Sequence, residues 1–482
     1  MDRGDGSAVA VEHQSGAGVE SSRALMKQLV LLSWPIIVEQ ILHTLVGLND
    51  TYLANHVIRN ADALPPDQKA IAQQTMADAA AAVNIVTYLF WFFGLIIGAI
   101  GTGASVLIAR AIGAKHRSLA NSICGQAMAG GAVLGIVLML ILFAFQSPIA
   151  QSTRLSGQGI NFTLMYLKIL APAIPFLTLM FVANACLRGA GDTLTPAVVF
   201  IVVDIVNMFF SWGFTYGFMG MPQLGFQGIA IGTTIAYIIG GVIQVIVLLR
   251  GRGGMQLHLH RLRPHWHNLK RLLRIGIPNG LEGFVQWSLN YILIMAINHS
   301  DKTNASGAAH GNAVRIEAFS YLAAFAIATA TATLVGQSLG QKNPSRAERV
   351  TYFAYLLAGG LMTLWGLFFI FFHKLPAEWI SDNPTITRYT SECLFVTGFC
   401  QPFFAAAMIF GFAMRGAGDT LRVMIYSLAS QVGLRLTFGL LAALVFKWGV
   451  VGVWWILSAE LTVRGIIMYL RFAKGSWKTV KV

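Results

Sequence analysis

The residues of this chain that could do chemistry lie where charge is expensive, inside long apolar runs. Glu39, His43 and Asp50 share one run, Asp204, Asn207 and Ser211 another, and Glu282, Gln286 and Asn290 a third. Arg315, Glu317, Arg435, Glu460 and Arg464 sit in later runs. An ionisable group at the centre of a membrane span costs about 2.5–3.5 kcal/mol on insertion scales, so each one needs a reason. At 100° per residue, Glu39, His43 and Asp50 fall within about 40° of one another, a polar stripe expected to face a cavity. A blander reading covers two of them: Glu39 and His43 are spaced i,i+4 and can satisfy each other. Asp50 is then still unexplained. Asp204, Asn207 and Ser211 also share one helical face, and Glu282, Gln286 and Asn290 follow i, i+4, i+8. Glu460 and Arg464 read as a structural i,i+4 pair. Arg315 and Glu317, at i,i+2, cannot face each other, and Arg435 is a candidate counter-ion. The first half therefore sets Glu39, Asp50 and Asp204 against Lys168, which can snorkel from a membrane edge. The second half balances three Glu with three Arg. The first half is the better cation site.

The elements that hold these groups follow from composition. Of 482 residues, 56% are hydrophobic and only 11% charged, with a mean hydropathy of +0.64. A soluble protein of this size carries roughly 25% charged residues, so a soluble enzyme and a disordered chain are both excluded. The 49 glycines fit closely packed membrane helices. A net charge of +14 does not imply nucleic acid, because basic cytoplasmic loops would produce it.

Twelve apolar segments are separable, at about 29–55, 79–109, 121–146, 162–186, 195–218, 226–249, 272–298, 313–336, 350–373, 389–413, 422–446 and 449–472. They are too long, and alternate too little, for strands. The predicted fold is an all-α polytopic membrane protein of twelve transmembrane helices in two six-helix parallel repeats. Its expected organisation is a disordered tail (1–28), a first lobe (29–250), a linker (251–271), a second lobe (272–472) and a tail (473–482). The first tail lacks the apolar core of a signal peptide. Most of the 34 Lys and Arg fall in the tails and even-numbered loops. The opposite side holds only Arg59, Lys69, Arg154, Lys302, Lys374, Arg388 and Lys447. By the positive-inside rule both ends are expected in the cytoplasm, in a cytoplasmic (inner) cell membrane.

The chain also repeats itself. Arg188-Gly-Ala-Gly-Asp192-Thr193 recurs as Arg415-Gly-Ala-Gly-Asp419-Thr420, and Gly113-Ala-Lys115 recurs as Gly340-Gln-Lys342. Pro35 with Glu39 recurs as Pro278 with Glu282, at a larger offset that extra length in the loop Arg59–Asp78 would explain. Repeats of this kind belong to transporters whose site lies between two rocking lobes. The RGAGDT loops are no phosphate loop, since no strand precedes them and no Gly-Lys-Ser/Thr closes them. They read as tight turns with Asp capping the next helix and Arg near lipid headgroups. His258, His260, His265 and His267 in the linker read as an interfacial loop rather than a metal site. Cys124, Cys186, Cys393 and Cys400 read as packing residues.

These motifs resemble the multidrug and toxic compound extrusion (MATE) family over about residues 25–475. The resemblance rests on Trp34-Pro35…Glu39-Gln40…Asn49-Asp50-Thr51, the two RGAGDT loops, and Val335-Gly-Gln-Ser-Leu-Gly340-Gln-Lys-Asn-Pro344. It implies H⁺- or Na⁺-coupled efflux of drugs or organic cations by antiport, no enzymatic activity and no cofactor beyond the coupling ion. It also implies a role for Asp50, the family's first-helix Asp, in cation coupling. Of the family's Asn-x-x-x-Asp motif this chain keeps Asn207 but has Ser211 in place of the Asp, with Asp204 nearby as a substitute carboxylate. A seventh-helix Glu of another branch falls at Gln286, one turn from Glu282. The expected partners are amphipathic or cationic small molecules and the bilayer, with no nucleic acid, and the protein is expected to be a monomer. The alternative is a lipid-linked saccharide flippase of the same broad architecture, which should line its cavity with several Arg or Lys for pyrophosphate. A membrane-embedded transferase would need longer loops than these, and a channel would leave the duplication unexplained.

Overall fold

The computed structural model describes residues 21–59, 64–153, 155, 157–300 and 305–480. Among them twelve long helices run in chain order. The first six are α1 (Ser22–Asn55), α2 (Pro66–Gly113), α3 (Arg117–Ser152), α4 (Gly157–Ala190), α5 (Leu194–Tyr216) and α6 (Phe226–Arg250). The second six are α7 (Trp266–Ser300), α8 (Ala305–Gly340), α9 (Pro344–Phe372), α10 (Pro384–Gly416), α11 (Thr420–Val445) and α12 (Gly449–Ala473). A short helix, Lys374–Ile380, lies in the loop before α10. A 3-10 turn at Ala171–Ala173, which contains Pro172, interrupts α4. Two π-helical stretches, Gln431–Leu436 and Leu441–Val445, interrupt α11.

Eleven of these helices are long and apolar enough to cross a membrane. The remaining one, α7, is as long, but Asn279, Glu282, Gln286 and Asn290 lower its hydropathy. In a bilayer only helices and closed barrels can satisfy every backbone group internally. The chain is a multi-pass, all-helical membrane protein. Apolar side chains left on the outside, such as Val133, Leu140 and Phe145 on α3 and Leu364 and Phe371 on α9, suit contact with lipid.

The two halves repeat one packing pattern. In the first lobe α1 packs on α5, α2 on α3 and α4, and α4 on α6; in the second, α7 packs on α11, α8 on α9 and α10, and α10 on α12. The lobes meet where α1 crosses α8, α2 crosses α7, and α2 crosses α8. Small residues make the last crossing close. A Cβ on Gly113 would run into the Gln337 carbonyl, and a Cβ on Gly340 into the Arg110 carbonyl. Each first helix of a repeat straddles both lobes. Leu25, Leu29 and Ile36 of α1 pack with Ile327, Val350 and Ala405, whereas Val46 and Leu53 join the first-lobe core. Leu272 and Ile275 of α7 join that first-lobe core, and Ile297 packs with Phe369 and Trp454.

Three expectations are corrected. Residues 22–28, expected in the disordered tail, begin α1, capped by the Ser21 side chain on the Ala24 N–H; residues 1–20 lie outside the described residues. The extra length in the loop Arg59–Asp78 is largely helix, because α2 starts at Pro66. The linker ends sooner than expected, since α7 starts at Trp266. Each error has one cause: polar turns that project past the apolar zone carry no hydropathy signal.

Candidate functional site

The RGAGDT loops organise the site's surroundings. Gly191 and Gly418 take φ of +93° and +88°, the left-handed cap that ends α4 and α10. Each motif's Arg is the last basic residue of its helix and points inward. Arg188 Nη1 donates to Glu39 Oε1 at 2.7 Å, and Arg415 Nη2 donates to Glu282 Oε1 at 2.7 Å. These are equivalent ion pairs in the two lobes, so neither Arg is the headgroup contact expected of it. Asp192 does cap the next helix, accepting from the Thr195 N–H at 3.0 Å, but Asp419 pairs with Arg471 at 3.3 Å.

The expected Glu39–His43–Asp50 stripe is therefore broken up. Glu39 belongs to the pair with Arg188 and also accepts from Asn184 Nδ2 at 3.3 Å. His43 packs edge-on against Phe181 and Phe200, with ring centroids at 5.5 and 5.8 Å. It forms no pair with Glu39.

Asp50 sits apart, 3% exposed, in a cluster built by four helices. Tyr166 of α4 donates its hydroxyl to Oδ2 at 2.6 Å, as does Thr233 of α6, also at 2.6 Å. Asn207 of α5 donates to Oδ1 at 3.3 Å and also lies 3.3 Å from Ser211 Oγ. Asn49 donates to Asn207 Oδ1 at 2.9 Å, and Trp212 Nε1 donates to Asn49 Oδ1 at 2.9 Å. Every donor to the carboxylate is uncharged, and among the described residues Asp50 forms no salt bridge. Hydroxyl-to-carboxylate bonds this short are the strong, charge-assisted kind. They hold the anion in place without neutralising it. Thr233 has a second acceptor, the Ile229 carbonyl, at 3.0 Å.

Asp204 does not join this cluster. It is buried, and neither carboxylate oxygen has a hydrogen-bond partner among the described residues. In the second lobe Arg435 is the counter-ion of Glu460, donating to its Oε2 from Nε at 3.1 Å and Nη2 at 2.8 Å. Arg464 pairs with Glu460 at 3.2 Å as its i,i+4 spacing implies, and Ser430 donates to Glu460 Oε1 at 2.6 Å. Asn290 accepts from Arg435 Nη1 at 3.2 Å. Gln286 joins none of these bonds. Arg315 is exposed and has no ion-pair partner among the described residues. Glu317 accepts from Thr397 at 2.6 Å and Gln401 at 3.5 Å. The balance of three Glu against three Arg is thus arranged differently from the expectation, with Glu282 neutralised by Arg415 and Glu317 held by neutral donors. No group of His, Cys, Asp and Glu suited to a metal ion occurs among the described residues.

Sequence reasoning missed Tyr166, Thr233, Asn49 and Trp212. Tyr166, Thr233 and Trp212 are ordinary residues on a membrane helix and carry no insertion cost that singles them out. The one usable signal was Asn49 beside Asp50 in the first-helix motif.

Two pseudo-symmetric six-helix lobes, touching through their first two helices and enclosing buried polar clusters, define a membrane transporter. The MatE family model matches residues 70–212 and 278–441, and the chain belongs to that family. It is 27% identical over 454 residues to a probable multidrug resistance protein NorM of Thermotoga maritima, covering 94% of this chain and 93% of that one. It is 26% identical over 420 residues to a probable multidrug resistance protein YoeA of Bacillus subtilis, covering 86% and 89%. Among solved structures, a multidrug resistance MATE family transporter of the MOP superfamily in an outward-facing conformation aligns with a TM-score of 0.82, at 20% identity, over 97% of this chain and all of that one. A MOP superfamily transporter from Pyrococcus furiosus, described as having a binding pocket of reverse polarity, aligns with a TM-score of 0.82 at 19% identity, over 96% of this chain and all of that one.

Proposed function

We propose that the chain exports amphipathic or cationic drugs by H⁺- or Na⁺-coupled antiport, with Asp50 as the residue that takes the coupling ion. The observation that carries this reading is the Asp50 carboxylate, buried among neutral donors with no cationic partner. The buried acids Glu39, Glu282 and Glu460 already have an Arg. Asp204 and Glu317 also lack a cation, but Asp204 makes no hydrogen bond among the described residues and Glu317 is bonded to α10 alone, whereas Asp50 is bonded to α4, α5 and α6, so an ion that comes and goes there acts on the whole first lobe.

Two states of the cluster follow. With Asp50 ionised, Tyr166, Thr233 and Asn207 direct their hydrogens at it. With a proton or Na⁺ bound, the carboxylate no longer needs all three, and Thr233 can turn its hydroxyl to Ile229 O. That rearrangement links α1, α4, α5 and α6, the framework of the first lobe. A cationic substrate is drawn to the same negative lobe, so ion entry weakens its binding. Linkage requires the converse to the same degree. Alternating access then carries substrate out as the ion moves in. Glu460, held between Arg435 and Arg464, forms a structural centre in the second lobe with no negative charge to spare for a cation. The protein works as a monomer in the cytoplasmic membrane, with the RGAGDT loops on the cytoplasmic side, and needs no cofactor other than its coupling ion.

Uptake of a fluorescent organic cation into proteoliposomes, under separately imposed pH and Na⁺ gradients, tests this. Accumulation should follow one of the two gradients. Movement that responds to neither would overturn the antiport reading.

A further inference from the structure

The chain that follows α12 ties the two lobes together. Gly475 turns it back with φ +72°, and Ser476–Thr479 forms a 3-10 turn. Trp477 is wholly buried in the second lobe. Its ring stacks on Phe472 with centroids 4.7 Å apart and lies in a cluster with Phe410, Met414 and Val423. Its Nε1 donates to the Phe472 carbonyl at 2.9 Å. Lys478 adds an ion pair to Glu348 of α9 at 2.7 Å. The segment is therefore fixed to the second lobe by an aromatic anchor and a charge.

Its next residue reaches the first lobe. The Val480 carbonyl accepts from Nη1 of Arg110, near the end of α2, at 2.9 Å. The other branch of that guanidinium donates to the Ala417 carbonyl in the second RGAGDT loop at 2.9 Å. Arg110 thus grips two second-lobe carbonyls from the first lobe. Gln337, which occupies the repeat-equivalent position on α8, makes one longer bond, to the Gly189 carbonyl at 3.4 Å. The grip on Val480 is an addition that the repeat does not require. It sits beside the Gly113–Gly340 crossing, one of the close contacts between the lobes.

We propose that residues Gly475–Val480 are a strap that locks the RGAGDT end of the lobes shut through Arg110, and that Val480 must leave Arg110 before this end opens. Trp477 and Arg110 are anchored on different lobes, so separation of the lobes breaks the bond. A guanidinium–carbonyl bond of this kind sets the open-to-closed ratio by about tenfold. The strap rests on the alternating-access reading only in requiring that this end opens, and its test measures distance rather than transport.

The experiment places spin labels at Arg117→Cys and Ser345→Cys, exposed positions at the starts of α3 and α9. The four native cysteines are buried, so labelling is confined to the introduced pair. Distance distributions are recorded by pulsed electron resonance for the otherwise wild-type chain, Arg110→Met, a chain ending at Lys474, and the two changes combined. Trp477→Ala and Trp477→Phe are added in case the shortened chain folds poorly. The strap predicts a roughly tenfold gain of the long-distance population in the shortened chain and in Trp477→Ala, and a larger gain in Arg110→Met, which also loses the bond to Ala417. Trp477→Phe should behave as wild type. The combined variant should gain much less than the product of the singles, because both changes remove the same bond. Unchanged distributions in the shortened chain and Trp477→Ala, or fully multiplicative effects, would overturn the proposal.

Discussion

Arg188→Met removes the cation from the first-lobe pair and leaves Glu39, whose side chain is 4% exposed, with only the Asn184 amide as a partner in the membrane interior. Breaking a buried pair from one side costs about 3–5 kcal/mol. The double variant Arg188→Met/Glu39→Gln removes both charges and should cost only about 1 kcal/mol, since replacing a whole buried pair is often close to neutral. At about 2–4 °C per kcal/mol for a unit the size of one lobe, the single variant should melt roughly 6–20 °C below wild type and the double a few degrees below. The assay is thermal unfolding by intrinsic tryptophan fluorescence in detergent. If the single variant melted no lower than the double, the buried-pair account of Arg188 would be wrong. Glu39 would then return to the list of coupling residues.

Other outcomes follow from the same geometry. Tyr166→Phe and Thr233→Val each remove a 2.6 Å bond to Asp50 and should slow gradient-driven transport about tenfold while substrate binding, read by fluorescence quenching, changes less; equal loss of both would make them substrate contacts. Gly340→Val places side chain against the Arg110 carbonyl and should abolish transport with normal membrane insertion, as judged by vesicle assay and immunoblot. Transport above half the wild-type rate would show that the α2–α8 crossing need not be close. A tag inserted at Gly253 should be reachable only from the cytoplasm; labelling from outside would reverse the orientation.

The helices were legible because an apolar run of about 20 residues has few other uses. Their ends were not, because Ser22–Gln28 and Pro66–Asp78 continue helical hydrogen bonding beyond the apolar zone. The repeat was legible from the two RGAGDT loops, yet their function in the fold was not. An Arg at the end of an apolar run looks like a headgroup contact until α4 is seen to bring Arg188 beneath Glu39 of α1, 149 positions away in the chain. Within the site, Asp50, Asn207 and Ser211 could be named because polar groups in apolar runs are conspicuous. Tyr166 and Thr233 could not, since an isolated Tyr or Thr on a membrane helix is ordinary. Asp204 was singled out because it shares a helical face with Asn207 and Ser211 and could replace the motif's missing Asp, yet its carboxylate makes no hydrogen bond to the Asp50 cluster.

Asp50→Asn tests the central claim most directly. It keeps the size of the side chain and some of its hydrogen bonds but cannot gain or lose charge. Counterflow, in which labelled and unlabelled substrate exchange with no ion gradient, is to be measured beside gradient-driven accumulation in the same proteoliposomes. The account predicts that Asp50→Asn retains counterflow and loses accumulation. Accumulation at the wild-type level by Asp50→Asn would place the coupling ion elsewhere and contradict the account.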